Sequence, residues 1–321
     1  MREITNLDEL ANKNIDTCIA IGNFDGVHRG HQYILGTMLK KAAEKNLSTV
    51  ALTFSPHPIE FHHPEINFQH ITTVKQKLRE FENLGIDYAA IIDYCTELVA
   101  MSPEEFCKEV LIDKLHAKVV VVGEDFTFGK ERSGNIDTLR NLGKKYDFET
   151  VALADHGIPT DNGKKRRLSS TWLRESLADG DVALAAKVLG RYHSVEGEVV
   201  HGAARGRELG FPTANLQKSP SGLIPADGVY AGWLHVGKSR YPAAISIGTN
   251  PTFKGIESRQ VEAHVINRPV ENIADFDLYG KNVRIEFVER LRGMVAYTGV
   301  KKLVEQMNYD IAKTERILSE S

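Results

Sequence analysis

The amino-acid sequence predicts a two-domain α/β protein, with an N-terminal doubly wound parallel sheet and a C-terminal small antiparallel β-barrel that carries a terminal helix. The chain has 321 residues, more than one hydrophobic core usually serves. Strand-like and helix-like segments alternate over about the first 185 residues, and short β-rich runs separated by turn residues follow Gly190. We therefore expect one domain over residues 1–186 and another over residues 187–321.

The N-terminal segments have the pattern of parallel strands joined by helical crossovers. Residues 117–123 are nearly all valine, which is typical of a strand buried on both faces. Thr73 and Ser102 each begin a capping-box pattern, and Gly85 ends the first of the two helices. In such sheets the ligand lies beyond the carboxyl ends of the strands. The predicted strands are 17–24, 49–54, 88–92, 117–123 and 149–154, and the other two helices are 30–45 and 135–146.

Residues 169–189 predict two short helices before the β-rich runs begin, the second starting at Asp181. The amphipathic segment 299–318 predicts a last helix packed on a barrel. The β-rich runs that predict this barrel are 195–200, 229–236, 241–247, 261–266 and 283–288.

Composition excludes several classes of protein. With 42% hydrophobic and 26% charged residues, the chain is neither disordered nor fibrous. A net charge of −3 gives no strong field for nucleic acid or an anionic membrane. Neither an N-terminal apolar leader nor an apolar run of about 18 residues is present, so we expect a cytoplasmic protein. Cys18, Cys95 and Cys107 match no zinc spacing and predict buried thiols in a reducing compartment.

The segment 21–31, which ends a strand and begins a helix, carries the strongest chemical signal. A helix N-terminus presents free N–H groups and positive potential, and glycines allow the backbone to approach an anion. His28 and His31 can donate hydrogen bonds to a phosphoryl group as its charge grows. Two alternatives remain open: a pair of surface histidines, or an HxxH metal pair completed by one of the histidines at 57, 62 and 63.

Residues 22–31 resemble the GxFDGxHxGH signature of the HxGH nucleotidyltransferases, which attack the α-phosphate of a nucleoside triphosphate directly and release pyrophosphate. Three further segments resemble one branch, the prokaryotic bifunctional riboflavin kinase/FAD synthetases. Residues 53–58 resemble its TFxPHP motif, with Ser55 where Asp is common, residues 122–129 its flavin- and nucleotide-facing loop, and residues 167–174 its RxSSTxxR segment. Without this resemblance, residues 169–171 could be a plain helix cap. The resemblance implies nucleotide binding by Gly22, Phe24, Asp25, Gly26, Gly30, Arg167, Ser170 and Thr171. It implies flavin binding by Phe54, Pro56, His57, Asp125 and Phe126.

The second concentration of signals is the segment 202–215. Spaced glycines and arginines suggest a loop that wraps phosphates, and Thr213 and Asn215 offer oxygen atoms suited to Mg²⁺ with ATP. An ordinary glycine-rich loop is the alternative. Residues 210–215 resemble the GxPTAN motif of riboflavin kinases, and Glu262 matches the general base of that family, although a solvated strand carboxylate is the alternative there. The resemblance implies nucleotide binding by Gly202, Arg207 and Gly210, and flavin binding by Phe211 and Pro212.

Two features depart from these motifs. Asn267 stands where Asp is common, and residues 268–276 look like an insertion before Asp277. Residues 232–239 fit the P-loop string G-x-x-x-x-G-K-S, but bulky strand-forming residues fill the interior and a further strand follows. We therefore expect a hairpin turn at residues 237–239.

Together these motifs predict a bifunctional transferase that phosphorylates riboflavin to FMN and adenylylates FMN to FAD, using ATP and Mg²⁺. The expected ligands are riboflavin, FMN, FAD and ATP, without nucleic acid or membrane, and weak self-association is compatible with this interpretation. The alternatives are a single-activity nucleotidyltransferase acting on another phosphate acceptor, with a non-catalytic flavin-binding barrel, and a flavin-binding sensor without catalysis.

Overall fold

Contacts between residues divide the chain into two units, Met1–Ser169 and Ser170–Ser321, each described by itself below. The computed structural model describes residues 1–160, 163–201, 209–249, 259–267, 277–295 and 299–320. The predicted domain boundary lies at residues 186 and 187, whereas the contacts group the preceding helical segment with the second unit. The boundary therefore stays a prediction.

Six parallel strands form the sheet of the first unit, in the order β1-β4-β3-β2-β5-β6. Phe106–Lys114 is a π-helix, Lys130–Arg132 is a 3₁₀-helix, and β7 and β8 pair as a separate hairpin. The elements are β1 Arg2–Ile4, α1 Asp8–Ala11, β2 Thr17–Ile21, α2 Arg29–Lys45, β3 Ser48–Ser55, α3 Pro58–His62, α4 Val74–Asn83, β4 Tyr88–Asp93, α5 Thr96–Ala100, α6 Pro103–Glu105, β5 Ala117–Gly123, α7 Ile136–Tyr146, β6 Glu149–Leu153, β7 Gly157–Pro159 and β8 Lys165–Arg167.

The sheet is buried on both faces, as the valine run predicts. All five residues of β2 are buried, and one face packs against the π-helix and α7 while the other packs against α2 and α4. The capping boxes at Thr73 and Ser102 are both formed.

The strand order reverses at β2. The chain passes from β2 to β3 and β4 on one side and then returns to place β5 on the other side. In a parallel sheet the crevice outside such a reversal is where ligands bind. The segments that follow β2 and β5 both carry predicted site residues.

The second unit begins with two helices and continues as a closed barrel in the order β10-β13-β12-β11-β14-β9. All its strand pairs are antiparallel, so the predicted fold class is confirmed in both units. The elements are α8 Ser170–Asp179, α9 Val182–Leu189, β9 His193–Val200, β10 Ala214–Leu216, β11 Gly228–Val236, β12 Ser239–Thr249, β13 Arg259–Val265, β14 Asn282–Arg292 and α10 Val300–Ser319.

Two details of the barrel answer the sequence analysis. β11 and β12 form a hairpin that turns at Gly237, where φ is +58°, so the P-loop string is a strand and a turn, as predicted. The short strand β10 was not predicted, because it spans only three residues and overlaps the end of the GxPTAN-like segment. It closes the barrel by pairing with β9 on one side and β13 on the other.

A buried ion pair ties α10 to the barrel. Asp310 on α10 is 4% exposed and accepts hydrogen bonds from Arg292 Nε at 3.0 Å and Nη2 at 2.7 Å. Gln306 Nε2 donates to the other carboxylate oxygen at 2.9 Å. Leu318 and Ile317 add apolar contacts beside Trp233. The terminal helix therefore packs on the barrel, as the amphipathic sequence predicts.

Candidate active sites

The two histidines meet at the carboxyl end of β2. His28 is the N-cap of α2, and its Nδ1 accepts the His31 backbone N–H at 3.3 Å. Because Nδ1 accepts, the proton of a neutral His28 lies on Nε2, the atom that can donate. The two rings stack with centroids 3.6 Å apart. The structure thus brings the predicted catalytic pair together on one helix end.

Glycine is required beside this pair. A Cβ at Gly30 would lie 3.0 Å from His28 Cε1 and 3.1 Å from its Nδ1. At Gly22 a Cβ would lie 3.1 Å from the ring of Phe24, which is buried and packs edge-on against His31 with centroids 5.4 Å apart. These contacts explain two of the three glycines by packing within the segment.

The environment of His31 keeps its imidazole neutral. Burial lowers the pKa of His31 well below its usual value, and the charges of His28, Lys77 and Arg167 lower it further. Its Nδ1 is buried and has no hydrogen-bond partner among the described residues. A neutral imidazole donates one hydrogen bond without adding a full charge to the site.

Asp25 holds the loop that faces this segment. Its carboxylate is 2% exposed and accepts the backbone N–H groups of Ile71 and Thr72, each at 3.1 Å. In return, Thr72 Oγ1 accepts the Gly26 N–H at 3.0 Å. Asp25 thus joins the turn after β2 to the segment that precedes α4. Its predicted contact with nucleotide stays a prediction.

Lys77 was missed by the sequence analysis. It lies on α4, is 5% exposed, and its Nζ donates to Asn23 O at 2.6 Å and Thr53 Oγ1 at 3.2 Å. The available signal was its spacing: Lys77 stands four residues before the buried Phe81, so a helical α4 places a lysine on its apolar face.

Predicted flavin residues follow β3. Phe54 contacts Tyr94 edge-on with centroids 5.8 Å apart, and Pro56 is exposed after a cis peptide bond. His57 caps α3 by accepting the Ile59 N–H, and its ring stacks on Phe68 at 4.4 Å. The end of β3 and the segment after it therefore carry a cluster of aromatic rings.

The loop after β5 carries Asp125 and Phe126. Phe126 stacks on Phe128 with centroids 5.3 Å apart. Arg167, on β8, pairs with Asp125 at 2.5 Å and with Asp155 at 3.0 Å. A predicted flavin residue and a predicted nucleotide residue are thus in direct contact. Ser170 and Thr171 begin α8, which belongs to the second unit.

The barrel brings together the three polar residues predicted for the kinase site. Asn215 on β10 stands opposite Glu262 on β13 in the strand register. Asn215 Nδ2 donates to Thr213 Oγ1 at 3.3 Å, and Thr213 Oγ1 in turn lies 3.5 Å from Glu262 Oε2. The pairing of β10 with β13 thus brings Thr213 close to Glu262, which lies 49 residues further along the chain.

His264 supports this cluster and was also missed. Its Nδ1–H donates to Pro212 O at 2.9 Å, and its ring meets Phe211 edge-on at 5.6 Å. His264 lies two residues beyond Glu262, on the same face of β13, so the alternation of a strand was the available signal. Gly210 has φ +88°, a conformation that glycine adopts without strain.

Some predicted residues lie outside the described part of the chain. These are Gly202, Arg207 and the segment 268–276. Asn267 is described, and its Nδ2 donates to Glu315 Oε1 at 2.8 Å. The residue that departs from the family pattern therefore contacts α10.

The remaining features concern metals, thiols and membranes. Within the described ranges, no group of three or more His, Cys, Asp or Glu side chains could hold a metal ion. Cys18 and Cys107 are buried, and burial raises the pKa of both thiols to about 12; Cys95 is only partly buried, which corrects the expectation for that residue. None of the described helices combines the length and apolarity needed to span a bilayer.

Each half of the chain matches a family of known proteins. A family model described as FAD synthetase matches residues 10–171, and one described as riboflavin kinase matches residues 189–318. A solved structure described as a macrolide-efflux protein from Streptococcus pneumoniae is 31% identical, covers 98% of both chains and has a TM-score of 0.82. That structure supports the whole fold.

Named relatives match along nearly the full length. The bifunctional riboflavin kinase/FMN adenylyltransferase of Escherichia coli K12 is 32% identical over 97% of this chain and 96% of its own length. The protein of the same name from Bacillus subtilis 168 is 34% identical over 94% of this chain and 92% of its own. Because both family models and these full-length relatives match, the chain belongs to the family of bifunctional riboflavin kinase/FMN adenylyltransferases.

Proposed function

We propose that this chain is a bifunctional transferase that makes FMN from riboflavin and ATP, and then makes FAD and pyrophosphate from FMN and a second ATP. The observation that carries the proposal is that each half is matched by its own family model and brings together the side chains predicted there to act on phosphate. The domains 1–186 and 187–321 hold the adenylyltransferase and the kinase, respectively. Because both family models match, a single-activity enzyme is not favoured.

In the adenylyltransferase, a phosphate oxygen of FMN attacks the α-phosphorus of ATP, and the bond to pyrophosphate breaks. His28 and His31 donate hydrogen bonds to the phosphoryl oxygens as their charge grows. Gly22, Phe24, Gly26 and Gly30 form the nucleotide loop with Asp25. Arg167, Ser170 and Thr171 bind the triphosphate, and Arg167 exchanges its carboxylate partners for phosphate. The flavin residues are Phe54, Pro56, His57, Asp125 and Phe126.

In the kinase, Glu262 takes the proton from the riboflavin 5′-hydroxyl as that oxygen attacks the γ-phosphorus and ADP leaves. Thr213 and Asn215, which lie beside Glu262, have the oxygen atoms that would hold Mg²⁺ with ATP. When bound, Mg²⁺ would neutralise charge on the phosphates. Gly202, Arg207 and Gly210 would contact ATP, and Phe211 and Pro212 the flavin. A cytoplasmic location belongs to the same proposal and is supported by the three free cysteines.

The test separates the two activities. The purified chain is incubated with riboflavin, ATP and Mg²⁺, and flavins are followed by chromatography. FMN should appear first and FAD after it. His28→Ala or His31→Ala should slow FAD formation by about 10²–10³-fold and leave FMN formation unchanged. The exposed His63→Ala is the matched control.

For the kinase, Glu262→Gln should abolish FMN formation while the protein still converts supplied FMN to FAD. Glu198→Gln, an exposed carboxylate on β9, is the control. Normal kinase turnover in the Glu262→Gln protein would remove Glu262 as the base. Formation of FMN without FAD by the wild-type chain would contradict the adenylyltransferase.

A further inference from the structure

A buried lysine, Lys77, lies at the predicted adenylyl-transfer site. Lys77 is 5% exposed, and its two hydrogen-bond acceptors, Asn23 O and Thr53 Oγ1, are both uncharged. Over the described residues, no carboxylate forms an ion pair with it. Removing an ammonium from water is costly, so an apolar side chain would stabilise this position better if packing were its only task.

The charges around Lys77 leave it protonated at neutral pH. Burial lowers the pKa of Lys77 to about 8, and Asp25 acts in the opposite direction. The Asp25 carboxylate is itself held by the backbone N–H groups of Ile71 and Thr72. The carboxylate that acts on Lys77 is therefore already engaged by other donors.

The Lys77 ammonium lies near the carboxyl ends of β2 and β3, close to the segment that carries the two histidines. Asn23 lies two residues beyond the carboxyl end of β2, and Thr53 lies near the carboxyl end of β3, the edge at which a parallel sheet binds ligands. Thr53 Oγ1 also donates to Asn23 O at 3.2 Å. Lys77 and Thr53 thus hold the same carbonyl, at the start of the turn that leads to His28.

Lys77 also affects His31 through space. The ammonium is one of the charges that lower the pKa of His31, together with His28 and Arg167, and burial acts in the same direction. A neutral imidazole gives a hydrogen bond that strengthens as the phosphoryl oxygens gain charge, so it favours the transition state over bound ATP.

We propose that Lys77 is a positioning residue for adenylyl transfer, whose buried ammonium fixes the turn that leads from β2 to His28. This inference rests on the proposed adenylyltransferase activity. Lys77 acts through Asn23 and His31 and does not itself touch the reacting atoms. Its positive charge also adds to the potential that an incoming triphosphate meets.

The experiment compares Lys77→Met with Lys75→Met, the same change at an exposed position on α4. FMN adenylylation is measured from about pH 5.5 to about 9.5, with kcat and KM for ATP at each pH. Lys77→Met should lower kcat by about 10–100-fold. Both variants should phosphorylate riboflavin at the wild-type rate.

The pH profile distinguishes this role from general packing. In the wild type, adenylylation should fall as the pH rises past about 8, because Lys77 loses its proton. Lys77→Met should lack this alkaline limb. Its acid limb should move to higher pH, because loss of the neighbouring cation raises the pKa of His31 while His28 and Arg167 remain.

A second variant keeps the test decisive if Lys77→Met does not fold. Thr53→Val removes one acceptor and retains the charge, so the protonated amine is less favoured and the alkaline limb should move to lower pH. An unmoved limb in Thr53→Val, or a Lys77→Met profile equal to that of Lys75→Met, would overturn the inference. Absence of FAD formation by the wild type would instead refute the proposed function.

Discussion

Removal of the Asp310 carboxylate should detach α10 from the barrel. Asp310→Ala leaves the Arg292 guanidinium without the carboxylate that accepts two of its N–H groups, and it removes the acceptor of Gln306. Breaking a buried ion pair from one side costs about 3–5 kcal/mol. Because 21% of the Arg292 side chain is exposed and water can solvate part of it, we expect about 3 kcal/mol.

This destabilisation can be measured by calorimetry of the full chain. For a unit of this size, about 3 kcal/mol corresponds to a fall of roughly 6–12 °C in Tm. Only one unfolding transition should move, because the ion pair lies wholly in the second unit. Glu305→Ala, an exposed change on the same helix, is the control.

The same reasoning predicts recovery in a double variant. Arg292→Met with Asp310→Leu replaces the pair by apolar side chains of similar size and should regain most of the lost stability. If Asp310→Ala unfolds at the temperature of the Glu305→Ala control, the ion pair contributes nothing and the role assigned to it is wrong.

Two further predictions concern glycines. Gly30→Ala should displace the His28 ring, because the new Cβ would lie 3.0 Å from His28 Cε1, and should slow FAD formation by about 10-fold or more. The control is Gly36→Ala on the same helix, where a Cβ would have no atom within 4 Å. It should leave the rate of FAD formation unchanged and raise Tm slightly. Equal rates for the two variants would contradict the packing argument. Gly232→Ala should lower the free energy of unfolding of the barrel by about 1–3 kcal/mol or more, because the new Cβ would lie 2.0 Å from Glu286 O. Gly197→Ala, whose Cβ would lie 3.4 Å from the nearest atom, should lower it less. Denaturant unfolding measures both values.

The fold could be predicted because its signals are local. The valine run of β5 and the capping boxes at Thr73 and Ser102 each depend on neighbouring residues, and all are present as expected. The three-residue strand β10 gave no such signal, because its pairing with β9 and β13 depends on segments distant in sequence.

The candidate sites divide in the same way. His28 and His31 are three residues apart, and their meeting follows from one helix start. Lys77 reaches Asn23 across 54 residues, so its contact depends on the packing of α4 against the sheet. The burial of a charged side chain is decided by this tertiary packing, which a motif does not describe.

The strand β10 has a further consequence for how this protein tolerates change. Asn215 belongs to the strand that completes the ring of the barrel, and Thr213 directly precedes that strand. Because β10 pairs with both β9 and β13, a substitution that loosens this segment weakens two strand pairings at once and exposes the edges of both neighbours. The architecture of the barrel therefore constrains variation at these positions, independently of the chemistry proposed for them.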